Sequence, residues 1–86
     1  MSGHAALNES QSAASAYRNV SRLMQSRDWH AAALACQRLN ALYPDFAAGW
    51  IAASRIALAL GSRADALDAT ERALRLEPGN PAFLIR

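Results

Sequence analysis

Pro44 and Pro78 stand 34 residues apart, and the same offset links Asp28 with Ser62, Ala32 with Ala66, Leu42 with Leu76, Leu23 with Ala57, Met24 with Leu58 and Tyr17 with Ile51. Self-similarity at one fixed period marks stacked units, each too small to bury its apolar face without a neighbour. Few folds satisfy that constraint, and those that do present extended surfaces more often than they build catalytic centres. The offset therefore points to a binding role and leaves the partner open.

Inside each unit the apolar residues follow the helical period. Ala13, Ala16, Tyr17, Val20, Leu23 and Met24 form one stripe, with Arg18, Asn19 and Arg22 off it, which predicts a helix from Ser10 onward and a flexible tail over residues 1–9. Ser26-Arg27-Asp28 interrupts the run, and Asp28 is placed to cap a second helix that starts at Trp29 and carries Ala32, Ala33, Cys36, Leu39 and Leu42 inward. Proline disfavours helical geometry in the residue before it, so Pro44 stops this helix near Leu42. Asp45 is the expected cap of a third helix with Trp50, Ala53, Ala57 and Leu60, ended by Gly61. Ser62 with Asp65 resembles a capping box for a fourth helix that turns Ala66, Leu67, Thr70, Ala73 and Leu74 inward and pairs Asp68 with Arg72 and Glu71 with Arg75 on its outer face. Asn80 before Pro81 then opens a fifth helix.

Composition narrows the function classes. The hydrophobic fraction is 52%, but much of it is alanine, which favours helix and lets helices approach closely while burying little area each. All nine basic residues are arginine; with seven acids the net charge is only +2, and the arginines are interleaved with acids along the chain. That spacing describes a solvated surface rather than the one-sided basic face that nucleic acid requires. No apolar run approaches the roughly 20 residues that span a bilayer, and no signal-peptide pattern precedes the first helix. A single cysteine, Cys36, cannot close an internal disulfide and fits a reducing, cytoplasmic setting.

These residues resemble the tetratricopeptide repeat, a helix–turn–helix unit of 34 residues. With Ala47 as the first position of the better-matching unit, Trp50 falls at the family's tryptophan and Gly61 at the glycine between its helices. Ala66 and Ala73 fall at its two small second-helix positions and Pro78 at its closing proline, while Leu74, Leu76 and Asn80 fit the surrounding consensus. The unit that starts at Ala13 departs further. Ala32 and Pro44 match and Trp29 stands at a second-helix aromatic, but Ala16 replaces the tryptophan, Asn19 a leucine, and Val20 and Leu39 sit where small residues are usual. Those departures imply an altered packing angle in the first pair or an atypical terminal repeat. The resemblance runs from Ala13 to Asn80 and implies an all-α fold, a right-handed superhelical stack of antiparallel helix hairpins. Within the domain over residues 10–86, repeat one would span about 13–46, repeat two about 47–80, and a truncated third repeat 81–86.

In that family the first helix of each pair lines a concave groove. The resemblance places Ala14, Tyr17, Ser21 and Met24, then Ala48, Ile51, Arg55 and Leu58, on its wall. An extended peptide or a partner helix would set apolar groups on Tyr17, Met24, Ile51 and Leu58 and an acidic group on Arg55. The plainer alternative makes Met24 and Leu58 interior filling, Tyr17 a packing residue and Arg55 an exposed side chain without a role. A variety of the family clamps C-terminal carboxylates with lysine and asparagine; here Tyr17 and Ser21 hold those places and the chain has no lysine, so that clamp is not expected.

The residues offer little chemistry beyond binding. His4 falls in the expected tail, and His30 lies among alanines, six positions from Cys36 and so on another side of the helix. Neither arrangement makes a nucleophile–base pair or a metal-ligand set. Cys36 matches a packing position, Asp65 and Asp68 sit beside the cap and the arginines, and the four glycines are isolated rather than grouped as a phosphate loop. The sequence thus predicts a non-enzymatic protein–protein interaction module with no cofactor, metal, nucleic acid or membrane partner. The alternative is a repeat segment of a larger bacterial-type enzyme, for example a transferase, that positions a partner or substrate. Apolar groups at Leu67, Thr70 and Leu74, together with Phe83–Ile85, further predict weak homodimerisation through the C-terminal end.

Overall fold

The computed structural model describes residues 3–79, with side chains from residue 12 onward. The chain forms four α-helices, α1 (Gly3–Gln25), α2 (Trp29–Leu42), α3 (Ala47–Ala59) and α4 (Arg63–Leu76), with no strand among the described residues. The expected fifth helix, the truncated repeat and Phe83–Ile85 lie outside those residues.

Three expectations need correction at the helix starts. Helix α1 begins at Gly3 rather than Ser10, so residues 3–9, expected as a tail, have helical backbone. Ala5, Ala6, Leu7 and Glu9 are strong helix formers and extend the helix backwards. Helix α3 is preceded by Phe46 in an extended conformation, not by Asp45. The Phe46 ring meets Tyr17 edge-on at 5.9 Å, so an aromatic anchor on α1 takes the place of a polar cap. Asp28 and Ser62 do flank α2 and α4, but neither side chain bonds the helix backbone. Ser62 Oγ instead donates to Asp65 Oδ2 at 2.8 Å.

The 34-residue offset reappears in the backbone geometry. Helices α2 and α4 have equal length and bounds displaced by that offset, and α1 and α3 end at Gln25 and Ala59. Both of these ends close in the same way. The Arg27 N–H reaches Met24 O at 2.9 Å and the Asp28 N–H reaches Leu23 O at 3.0 Å; 34 positions later the Gly61 N–H reaches Leu58 O at 3.1 Å and the Ser62 N–H reaches Ala57 O at 2.8 Å. This is the Schellman pattern, which turns on a residue with positive φ. Gly61 supplies it at 82° and Arg27 at 59°. Tyr43 N–H to Leu39 O and Glu77 N–H to Ala73 O repeat the correspondence at the ends of α2 and α4.

Packing follows from which stripes are small. Helix α1 lies against α2 and α3, α2 also lies against α3, and α4 lies against α3, while neither α1 nor α2 packs extensively on α4. The array is therefore open rather than a bundle in which the last helix returns to the first. Its main interior joins Ala13 and Val20 of α1, Ala32, Cys36 and Leu39 of α2, and Ala52 and Ile56 of α3. Under α4 the buried residues are Ala66, Ala69 and Ala73, so that helix sits close to α3 on an alanine surface. Two hydroxyls join the pair: Thr70 Oγ1 donates to Ala66 O at 2.9 Å, which leaves Ser54 Oγ to donate to Thr70 Oγ1 at 2.8 Å. Three leucines expected inside are exposed: Leu42 at 70%, Leu67 at 61% and Leu74 at 36%. Leu67 is about 100° round the helix from Ala66, and the alanine stripe took the inward direction.

One close approach sets the α2–α3 distance. A side chain at Gly49 would strike Asn40 Oδ1 and the Leu39 side chain, so only glycine admits α3 at this spacing. The Gly49 carbonyl accepts from Asn40 Nδ2 and from the Cys36 thiol, each at 3.2 Å. Asn40 Nδ2 also lies 3.6 Å from Cys36 Sγ, while the buried Asn40 Oδ1 has no hydrogen-bond partner.

Candidate functional site

Helices α1 and α3 lie side by side, which brings the two halves of the expected groove onto neighbouring elements. Tyr17, Ser21 and Met24 on α1 stand at positions equivalent to Ile51, Arg55 and Leu58 on α3, and the spacing i, i+4, i+7 keeps each trio on one helix face. Their surroundings differ. Tyr17 and Met24 are half-buried and pack against the main interior, Tyr17 through its edge contact with Phe46. Ser21 and Ile51 are half-buried, whereas Arg55 is exposed and Leu58 is 59% exposed. The α1 half of this surface is thus partly structural, and its accessible chemistry is concentrated on Ile51, Arg55 and Leu58.

A concavity of about 720 Å³ opens between α2 and α4 across α3. Gln37, Trp50, Leu60, Asp65, Asp68 and Arg72 contribute to its wall, and none of the six expected groove residues does. Trp50 organises it. The indole N–H donates to Pro44 O at 2.8 Å, and the Arg72 guanidinium lies 4.7 Å from the ring centroid. Arg72, expected to pair with Asp68, thus has its charge over an aromatic face, where the ring quadrupole attracts it. The sequence marked Trp50 through its repeat position and Arg72 through its distance from Asp68. Their meeting was not legible, because they lie on different helices.

Burial pushes the Cys36 thiol up to about 11, opposed only in part by the Asn40 hydrogen bond, so it stays protonated and donates to Gly49 O. His30 is exposed on α2 while Cys36 is buried on the same helix. Among the described residues, no group of three or more His, Cys, Asp and Glu side chains is placed to hold a metal ion. Among them also, no helix is long and apolar enough to cross a membrane. Compared with known proteins, the chain matches no family model, no curated protein and no solved structure.

Proposed function

We propose that this chain is a tetratricopeptide-like interaction module that holds a peptide or partner helix along the α1–α3 face. The observation that carries the reading is the recurrence of one helical hairpin, with the same turn hydrogen bonds, at an offset of 34 residues. Stacked hairpins of this kind would form a right-handed superhelix whose first helices share one wall. On that wall Leu58 and Ile51 offer apolar contact to a ligand, and Arg55 offers a charge-assisted hydrogen bond to a carboxylate. Tyr17, Ser21 and Met24 continue the surface, with Met24 adaptable in shape.

Selection of binders from a displayed peptide library tests this reading. Peptides carrying an acidic residue near apolar ones are expected, and Arg55→Glu should weaken them at least tenfold while leaving the circular-dichroism spectrum intact. Asp68→Arg, in the α2–α4 cleft, should leave their affinity unchanged. Loss of binding through Asp68→Arg and not Arg55→Glu would move the binding surface to the cleft.

A further inference from the structure

The α2–α4 cleft is apolar along its floor and charged at its rim, and its wall is drawn wholly from residues 33–72. Ala41, Ala53, Ala57 and Ala69 keep the floor small, which lets the backbone of a ligand come close. Trp50 and Leu60 are ten positions apart, about 15 Å along the α3 axis. Trp50, with Pro44 and Arg72 in contact with it, marks one end of the cleft; Leu60 and the Ser62–Asp65 pair mark the other. The two signs of charge are separated along this axis. Asp65 and Asp68 are three positions apart on α4, so their carboxylates share one helix face. Asp65 accepts from the neutral Ser62 hydroxyl, and among the described residues Asp68 has no ion-pair partner. The guanidinium one turn further on, which could have neutralised Asp68, is held over the Trp50 ring instead.

We infer that the Asp65–Asp68 end of this cleft docks an arginine-bearing peptide segment. A guanidinium presents its donors in a flat fork and can bond two carboxylates at once, which a compact ammonium does less well. Its methylene stem lies along Leu60, which is 41% exposed, and a small apolar neighbour of the arginine enters the alanine floor. Gln37, on the α2 side, offers an amide to the backbone of the segment. Arg72 repels a cation at the Trp50 end, so charge complementarity fixes the direction in which the segment lies. This ligand is opposite in charge to the one proposed for Arg55, and the two surfaces share none of the expected groove residues.

A displayed peptide library with one fixed arginine and random neighbours, selected on the 86-residue chain, tests it. The selected peptides should bind Asp65→Asn/Asp68→Asn at least fivefold less tightly, and should lose as much when their arginine is replaced by glutamine. Asparagine keeps the acceptor oxygen that Ser62 uses, so helix content should be unchanged. Asp68→Asn alone, which touches no hydrogen bond of the fold, is measured alongside and should weaken binding in the same direction. Amide NMR shifts on titration of a selected peptide should cluster at Ala57–Ser62 and Asp65–Ala69. An empty selection, peptides indifferent to both aspartate variants, or shifts confined to the α1–α3 face would each overturn the inference. Arg55→Glu should leave these peptides unaffected while weakening the acidic ones, so the two proposals fail separately.

Discussion

Asn40 and Gly49 show how one residue pair sets the spacing of two helices. Alanine is favoured over glycine inside a helix by about 1 kcal/mol, yet the Gly49→Ala methyl would press on Asn40 Oδ1 and on Leu39. Overpacking of this kind costs roughly 1–3 kcal/mol, so Gly49→Ala should lower stability by up to about 2 kcal/mol net in urea denaturation. Asn40→Ala removes the obstructing amide, and the double variant should be less destabilised than the sum of the singles by about 1 kcal/mol. Cys36 beside them yields a pH signature. Its pKa rises from 9.0 to about 11 on folding, so native and unfolded chains are both protonated below 9 and the contribution is fully present there. As pH climbs from 9 toward 11 the unfolded thiol ionises first, and stability falls by up to about 2–3 kcal/mol. Urea midpoints measured across that window should drop more steeply for the native sequence than for Cys36→Ala.

At the scale of elements, the C-terminal ends of α1 and α3 make a matched experiment. Arg27 and Gly61 occupy the same turn position with the same hydrogen bonds, but only glycine adopts positive φ without steric cost. Arg27→Gly should therefore stabilise the chain by about 0.5–1 kcal/mol, and Gly61→Ala should destabilise it by about 1 kcal/mol, both read from thermal midpoints. The space around Gly61 is open, so its cost would be conformational rather than a clash. Element boundaries at Pro44, Gly61 and Trp29 were legible in the sequence because local chemistry sets them. The start of α3 was not, because Phe46 is fixed by Tyr17, a residue 29 positions away. Leu67 faces solvent for a related reason. On a helix with both alanine and leucine stripes, hydrophobicity ranks leucine inward, whereas close approach to α3 selects alanine.

Among the described helices, α2 is held between α1 and α3, while α4 packs mainly on α3. Stability in stacked arrays adds up from neighbouring contacts, so it is uneven along the chain. Native-state hydrogen exchange should find the slowest amides in α2 and the facing part of α3, with α4 exchanging faster; uniform protection through all four helices would contradict an open array. The same asymmetry separates the two candidate surfaces. The α1–α3 face was an expectation from the family resemblance, which assigns residues along a single helix. The α2–α4 cleft was not, because Trp50 and Arg72 meet only once their helices are placed.

From the residues alone come the number of helices among those described, most of their bounds, the unit length of the repeat and the burial of Cys36. Each of these depends on neighbours within a few turns or on identity recurring at a fixed interval. Only tertiary packing decided that alanine rather than leucine seats α4, that Gly49 lets α3 close on Asn40, and which leucines remain in solvent. Those outcomes depend on the distance between helix axes, which no stretch of sequence specifies until two helices compete for the same space.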